Sequence, residues 1–132
     1  MYNSVISSKH YISFVIRLEN GIFGCHIPRS NCQNFVNMVE TIMSSEDYFP
    51  EKSIENNTML IECLNTMENV LFVFQNKANQ KKIQCTIEIP ECKELIEKMK
   101  NVISVSNRAY GLVEEIEDEP WKFFCEQKKE AS

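Results

Sequence analysis

Residues 14–27 read Phe14-Val15-Ile16-Arg17-Leu18-Glu19-Asn20-Gly21-Ile22-Phe23-Gly24-Cys25-His26-Ile27, two alternating apolar runs that meet at Asn20-Gly21. An Asn-Gly step between such runs is the strongest short-range hairpin signal, because a type I′ turn needs positive φ at both central positions. With Asn20-Gly21 as the loop, Glu19 pairs with Ile22, Leu18 with Phe23, Ile16 with Cys25 and Phe14 with Ile27. Phe14, Ile16 and Leu18 then share an apolar face, while Val15, Arg17, Gly24 and His26 share the other.

A helix follows the hairpin directly. Ser30 with Gln33 three residues on forms a capping box, which satisfies two orphan backbone donors. Cys32, Phe35, Val36, Val39, Ile42 and Met43 recur at helical spacing and end at Ser44-Ser45. Downstream the same order returns: Val70 to Gln75 and Ile83 to Ile89 as strands around a polar loop, then a helix with Pro90 in its first turn and Cys92, Leu95, Ile96, Met99, Val102 and Ile103 as its stripe. Thr58 to Leu64 adds a strand before this second unit, and Glu46 to Asn57 reads as the connector.

The two Cys-x6-Cys pairs, Cys25/Cys32 and Cys85/Cys92, suggest an internal repeat. A shift of 60 positions lays Tyr11 to Met43 on Leu71 to Ile103 without a gap, and sets Phe14 on Phe74. The expected architecture is α+β: an antiparallel sheet built from two related strand–strand–helix units, about residues 11–43 and 58–103, plus a C-terminal strand, with the helices packed on one face. In element order alone it resembles single-stranded nucleic-acid-binding folds of the PUR or Whirly type, half-clamp domains and dimerising scaffold heads, an analogy that bears on fold and not on function. Residues 1–125 are expected to form one domain and 126–132 a flexible tail.

The chain has 132 residues, enough for one core but not two. Its 43% hydrophobic and 25% charged content is that of an ordinary globular domain, which excludes a disordered or fibrous chain. No run is apolar and long enough to span a bilayer. The first residues lack a basic region followed by an apolar one, so the expected compartment is cytosol or nucleus, with Cys25, Cys32, Cys63, Cys85, Cys92 and Cys125 as reduced thiols.

Catalytic motifs are missing. Three glycines cannot build a phosphate-cradling loop or a dinucleotide fingerprint. Cys25 and His26 are adjacent on a strand and so point to opposite faces, which rules out a nucleophile–base dyad. The two cysteine pairs invite a closed zinc site. Yet all four thiols fall on inward faces, where small apolar residues belong, and no metal, cofactor or catalytic residue is expected. The sequence therefore points to a non-enzymatic protein-interaction module: a small adaptor or complex subunit, with a homodimer among its arrangements.

The candidate partner-binding residues are Trp121, Phe123 and Phe124, which follow the acidic run Glu114 to Glu119, together with Leu71 and Val73. The last two lie on the face of their strand opposite Phe72 and Phe74, so that strand is apolar on both sides. The alternative function is single-stranded DNA or RNA binding on the outer hairpin face, with Tyr11, Arg17 and His26 joined by Lys77, Lys81 and Lys82. A net charge of −5 disfavours nucleic acid in general.

Overall fold

A computed structural model describes residues 2–18, 21–45, 50–114 and 121–127. The elements are β1 (Tyr2–Ser7), β2 (Tyr11–Leu18), β3 (Gly21–Pro28), α1 (Arg29–Ser44), β4 (Glu51–Glu55), β5 (Met59–Asn65), β6 (Asn69–Asn76), β7 (Lys82–Glu88), α2 (Ile89–Tyr110) and β8 (Lys122–Gln127). They form an α+β fold with two antiparallel four-stranded sheets in place of the single sheet expected. Sheet I has the order β1-β2-β3-β8 and sheet II the order β4-β5-β6-β7. Two edge strands were not expected: β1, and β4 inside the segment read as a connector. Glu126 and Gln127, assigned to the tail, continue β8; residues 128–132 lie outside the described set.

The β2–β3 hairpin pairs Leu18 with Gly21, Ile16 with Phe23, Phe14 with Cys25 and Ile12 with Ile27. Each partner is thus two residues from the one expected; of the expected Asn20-Gly21 loop, Gly21 is the first residue of β3 and Asn20 lies outside the described residues. Strand side chains alternate with period two, so a two-residue slip leaves every face assignment intact. The observed register sets the bulky Phe14 against the small Cys25 and draws Ile12 into the paired region.

Alternation fills the core. Ile12, Phe14 and Ile16 of β2, Phe23, Cys25 and Ile27 of β3, Ile61 and Cys63 of β5, and Val70, Phe72 and Phe74 of β6 are all buried. The sheets meet through aromatic rings, with Phe23 and Phe74 at 5.0 Å between centroids. Phe35 of α1 stacks on Phe14 of sheet I at 5.8 Å and on Phe72 of sheet II at 6.0 Å. The helices were expected on one face of one sheet. Instead they touch each other and cross over: α1 follows β3 but lies mostly against β4 and β5, whereas α2 follows β7 and lies along β1.

Helix α1 starts at Arg29 after Pro28, one residue before the expected Ser30 cap, and no side chain caps it. Its first amide donates to the His10 carbonyl at 2.9 Å, so the β1–β2 turn supplies the acceptor that a capping box would have supplied. The Gln33 amide donates to Asn37 Oδ1 instead. Helix α2 has Pro90 in its first turn as expected, and runs on to Tyr110 with Gly111 closing it at φ 85°. Among the described residues no helix is long and apolar enough to cross a membrane.

Several backbone contacts early in the chain have counterparts later in it. Ser8 N donates to Tyr11 O at 2.8 Å, and 58 residues on Thr66 N donates to Asn69 O at 2.9 Å. The side-chain hydroxyls of Ser8 and Thr66 donate to the same two carbonyls. Arg29 N reaches His10 O and Ile89 N reaches Glu68 O, an offset of 58 before the hairpin loop and 60 after it. Phe14 lies opposite Cys25 in the first hairpin and Phe72 opposite Cys85 in the second, so the like-placed phenylalanines are 58 positions apart and the like-placed cysteines 60.

Candidate functional site

The outer face of sheet II carries Leu71 and Val73, half-buried on β6. They are joined by two residues not singled out from the sequence, Leu60 and Leu64 of β5. Leu64 lies directly opposite Leu71, and Glu62 opposite Val73. The four aliphatics form one patch because β5 and β6 both alternate, with Ile61, Cys63, Phe72 and Phe74 turned to the core. The same face presents Glu51 and Glu55 from β4, Glu62 at the centre of the patch, Glu88 from β7, and Lys82. Its two central strands carry four aliphatics around the Glu62 carboxylate, and further carboxylates lie towards the rim. The C-terminal strand, one candidate to cover this face from within the chain, pairs with β3 in sheet I instead.

The three C-terminal aromatics divide. Trp121 is 6% exposed and meets Phe35 edge-on at 5.9 Å. Phe123 lies opposite Cys25 and packs on Phe74 at 5.2 Å. Phe124 has the other parity: it lies opposite Gly24 and is 39% exposed on the outer face of sheet I. Two of the three therefore build the core, and Phe124 alone of them faces solvent.

The outer face of sheet I brings together Tyr11, Arg17 and His26, as expected, and adds Lys122 and Phe124. Lys122 lies opposite His26, and the Phe124 ring is 6.3 Å from the His26 ring. His26 Nδ1 and Ser13 Oγ are 2.5 Å apart, which fixes the imidazole on this face. Lys77, Lys81 and Lys82 do not join the group. They belong to the β6–β7 hairpin of sheet II, where Lys77 pairs with Glu55 at 2.5 Å. Alternation was the signal that could have found Lys122 and Phe124, since an inward Trp121 and Phe123 put their neighbours outward.

Four of the described thiols are held protonated by the core. Cys25, Cys32, Cys63, Cys85 and Cys92 are buried thiols without a disulfide. Burial pushes Cys32 and Cys92 up to about 12. Cys25 and Cys63 are also raised, chiefly by burial and then by the neighbouring thiols of Cys32 and Cys92. A thiol held protonated is a poor nucleophile and metal ligand. Cys25 is inside and His26 outside, as the alternation requires. Among the described residues, no three His, Cys, Asp or Glu side chains converge as metal ligands.

A scan against protein-family models finds no match for this chain, and a search of curated proteins finds none either.

Proposed function

We propose that this chain is a non-enzymatic protein-interaction module, an adaptor or small subunit of a larger complex, that docks its partner on the outer face of sheet II. The observation that supports it is the patch of Leu60, Leu64, Leu71 and Val73 on two central strands, turned away from the core. Contiguous aliphatics at the centre of a polar rim are the usual anatomy of a docking surface. The acidic rim favours a partner with basic residues around an apolar segment, since complementary charge speeds encounter and fixes orientation.

A second copy of the chain fits less well. Stacking two such faces about a twofold would bring the Glu62 carboxylates together and add like charges at the rim, which a basic partner avoids. The reading is tested by crosslinking in cells that make the protein. Partner peptides linked to Lys82, at the border of the face, should vanish in Leu71→Glu/Val73→Glu. A crosslink pattern unchanged by that pair of substitutions contradicts it.

We also infer an internal duplication of a strand–strand–strand–helix unit. It is supported by the paired turns at offset 58 and the paired strand–helix junctions at offset 60. It requires β1 to α1 and β5 to α2 to superimpose under a pseudo-twofold in an experimental structure; units that cross with different geometry would contradict it.

A further inference from the structure

We propose that the outer face of sheet I is a second binding site, one for single-stranded nucleic acid. It is independent of the docking at sheet II. Three rings, Tyr11, His26 and Phe124, share this face with two exposed cations, Arg17 and Lys122. Among the described side chains of its strands, Glu126 is the one acid that opposes them. In a chain of net charge −5 this is a local reversal of sign. Sheet II shows the opposite balance on its own outer face, with Glu51, Glu55, Glu62 and Glu88 against Lys82 and the Lys77 that pairs with Glu55.

The layout suits unstacked bases. Three successive cross-strand rows run over the face: Ser13, His26 and Lys122; then Val15, Gly24 and Phe124; then Arg17, Ile22 and Glu126. Phe124 covers Gly24, where a Cβ would overlap the ring. The missing side chain lets the aromatic lie over the sheet instead of standing off it. The ring stays 39% exposed, which leaves surface for a base, and Arg17 and Lys122 lie on either side of it for the phosphates. From Tyr11 to Arg17 the track is about 20 Å at the usual rise per strand residue. Ring stacking and backbone cations are the sequence-tolerant means of holding a single strand. A duplex, with its bases already stacked, offers nothing to Phe124 and His26.

The test is fluorescence anisotropy with labelled oligo(dT) and oligo(rU) of about 15 nucleotides. Two phosphate contacts on a single strand give a slope near −1.4 in log affinity against log salt, so raising salt from about 50 to about 200 mM should weaken binding roughly sevenfold. Phe124→Ala should weaken binding about tenfold, and Arg17→Ala should halve the salt slope. Leu71→Gln/Val73→Thr on sheet II should leave the affinity unchanged. Both substituted residues of sheet I are exposed, so the variants retain the fold, which circular dichroism checks. Binding of either strand in this pattern supports the site, and the two oligonucleotides decide between DNA and RNA. No binding at about 50 mM salt, binding indifferent to Phe124→Ala and Arg17→Ala, or equal affinity for duplex overturns it.

Discussion

Phe124 lies across Gly24, one strand away, and covers the one position of the sheet I outer face with no side chain of its own. A methyl group at Gly24 would overlap Cζ and Cε1 of the ring. Phe124 is exposed and can swing outward, so Gly24→Ala should keep stability within about 1 kcal/mol of the parent in urea unfolding. It should nonetheless reduce oligonucleotide affinity as much as Phe124→Ala, and the double variant should be no worse than either. An additive double variant would separate the two residues.

Arg29 joins the start of α1 to the far end of α2. Its guanidinium donates to the carbonyls of Lys9, Ser106 and Gly111 and to Asn107 Oδ1, and sits 5.3 Å from the Tyr110 ring centroid. A cation there also meets the negative end of the α2 dipole. Arg29→Met should cost about 2 kcal/mol in urea unfolding, the range for hydrogen bonds to a charged group. Arg29→Lys should recover less than half of that, because one ammonium cannot serve the same spread of acceptors.

Phe35 is the hinge of the core, touching Phe14, Phe72 and Trp121. Those three belong to sheet I, sheet II and the C-terminal segment. Phe35→Ala should therefore cost roughly 3–5 kcal/mol. Phe124→Ala should cost well under half of that. Equal losses would mean that Phe124 carries as much of the core as Phe35 does.

Stability should fall in alkali. Unfolded thiols lose their protons near pH 9, whereas the folded chain holds those of Cys32 and Cys92 to about 12. Between these limits the unfolded state binds fewer protons, so the free energy of unfolding decreases as pH rises, by at most about 1.4 kcal/mol per pH unit for each thiol. Below pH 9 both states are protonated and the effect is absent. Urea midpoints from about pH 8 to about pH 10.5 should decline. The decline should be shallower in Cys32→Ala/Cys92→Ala, and a flat parent profile would contradict the buried protonated thiols.

The face assignments were legible in the sequence because they depend only on parity. Phe14 and Ile16 inside with Arg17 and His26 outside survives even a register wrong by two residues. The helical stripes, from Cys32 to Ile42 and from Cys92 to Met99, were legible for the same local reason. What escaped was set by partners far along the chain. Edge strand β1 reads Tyr-Asn-Ser-Val-Ile-Ser and β4 reads Glu-Lys-Ser-Ile-Glu; both are too polar to announce themselves and exist because a neighbour offers a ladder. The Arg29 start of α1 depends on the His10 carbonyl. Separation into two sheets, and the return of β8 to β3, are choices among strand pairings that alternation does not distinguish. Those choices separated Lys77, Lys81 and Lys82 from Arg17 and gave Phe124 to its side.

Docking of a protein on Leu60, Leu64, Leu71 and Val73, as proposed above, has a consequence for the size of the particle the chain travels in. The most direct measurement is velocity sedimentation of the tagged chain in native extract from cells that make it, parent against Leu71→Glu/Val73→Glu. The parent should sediment well above its own mass, and the folded variant as the free chain. A parent found only as the free chain, or a variant that stays in the complex, would contradict it.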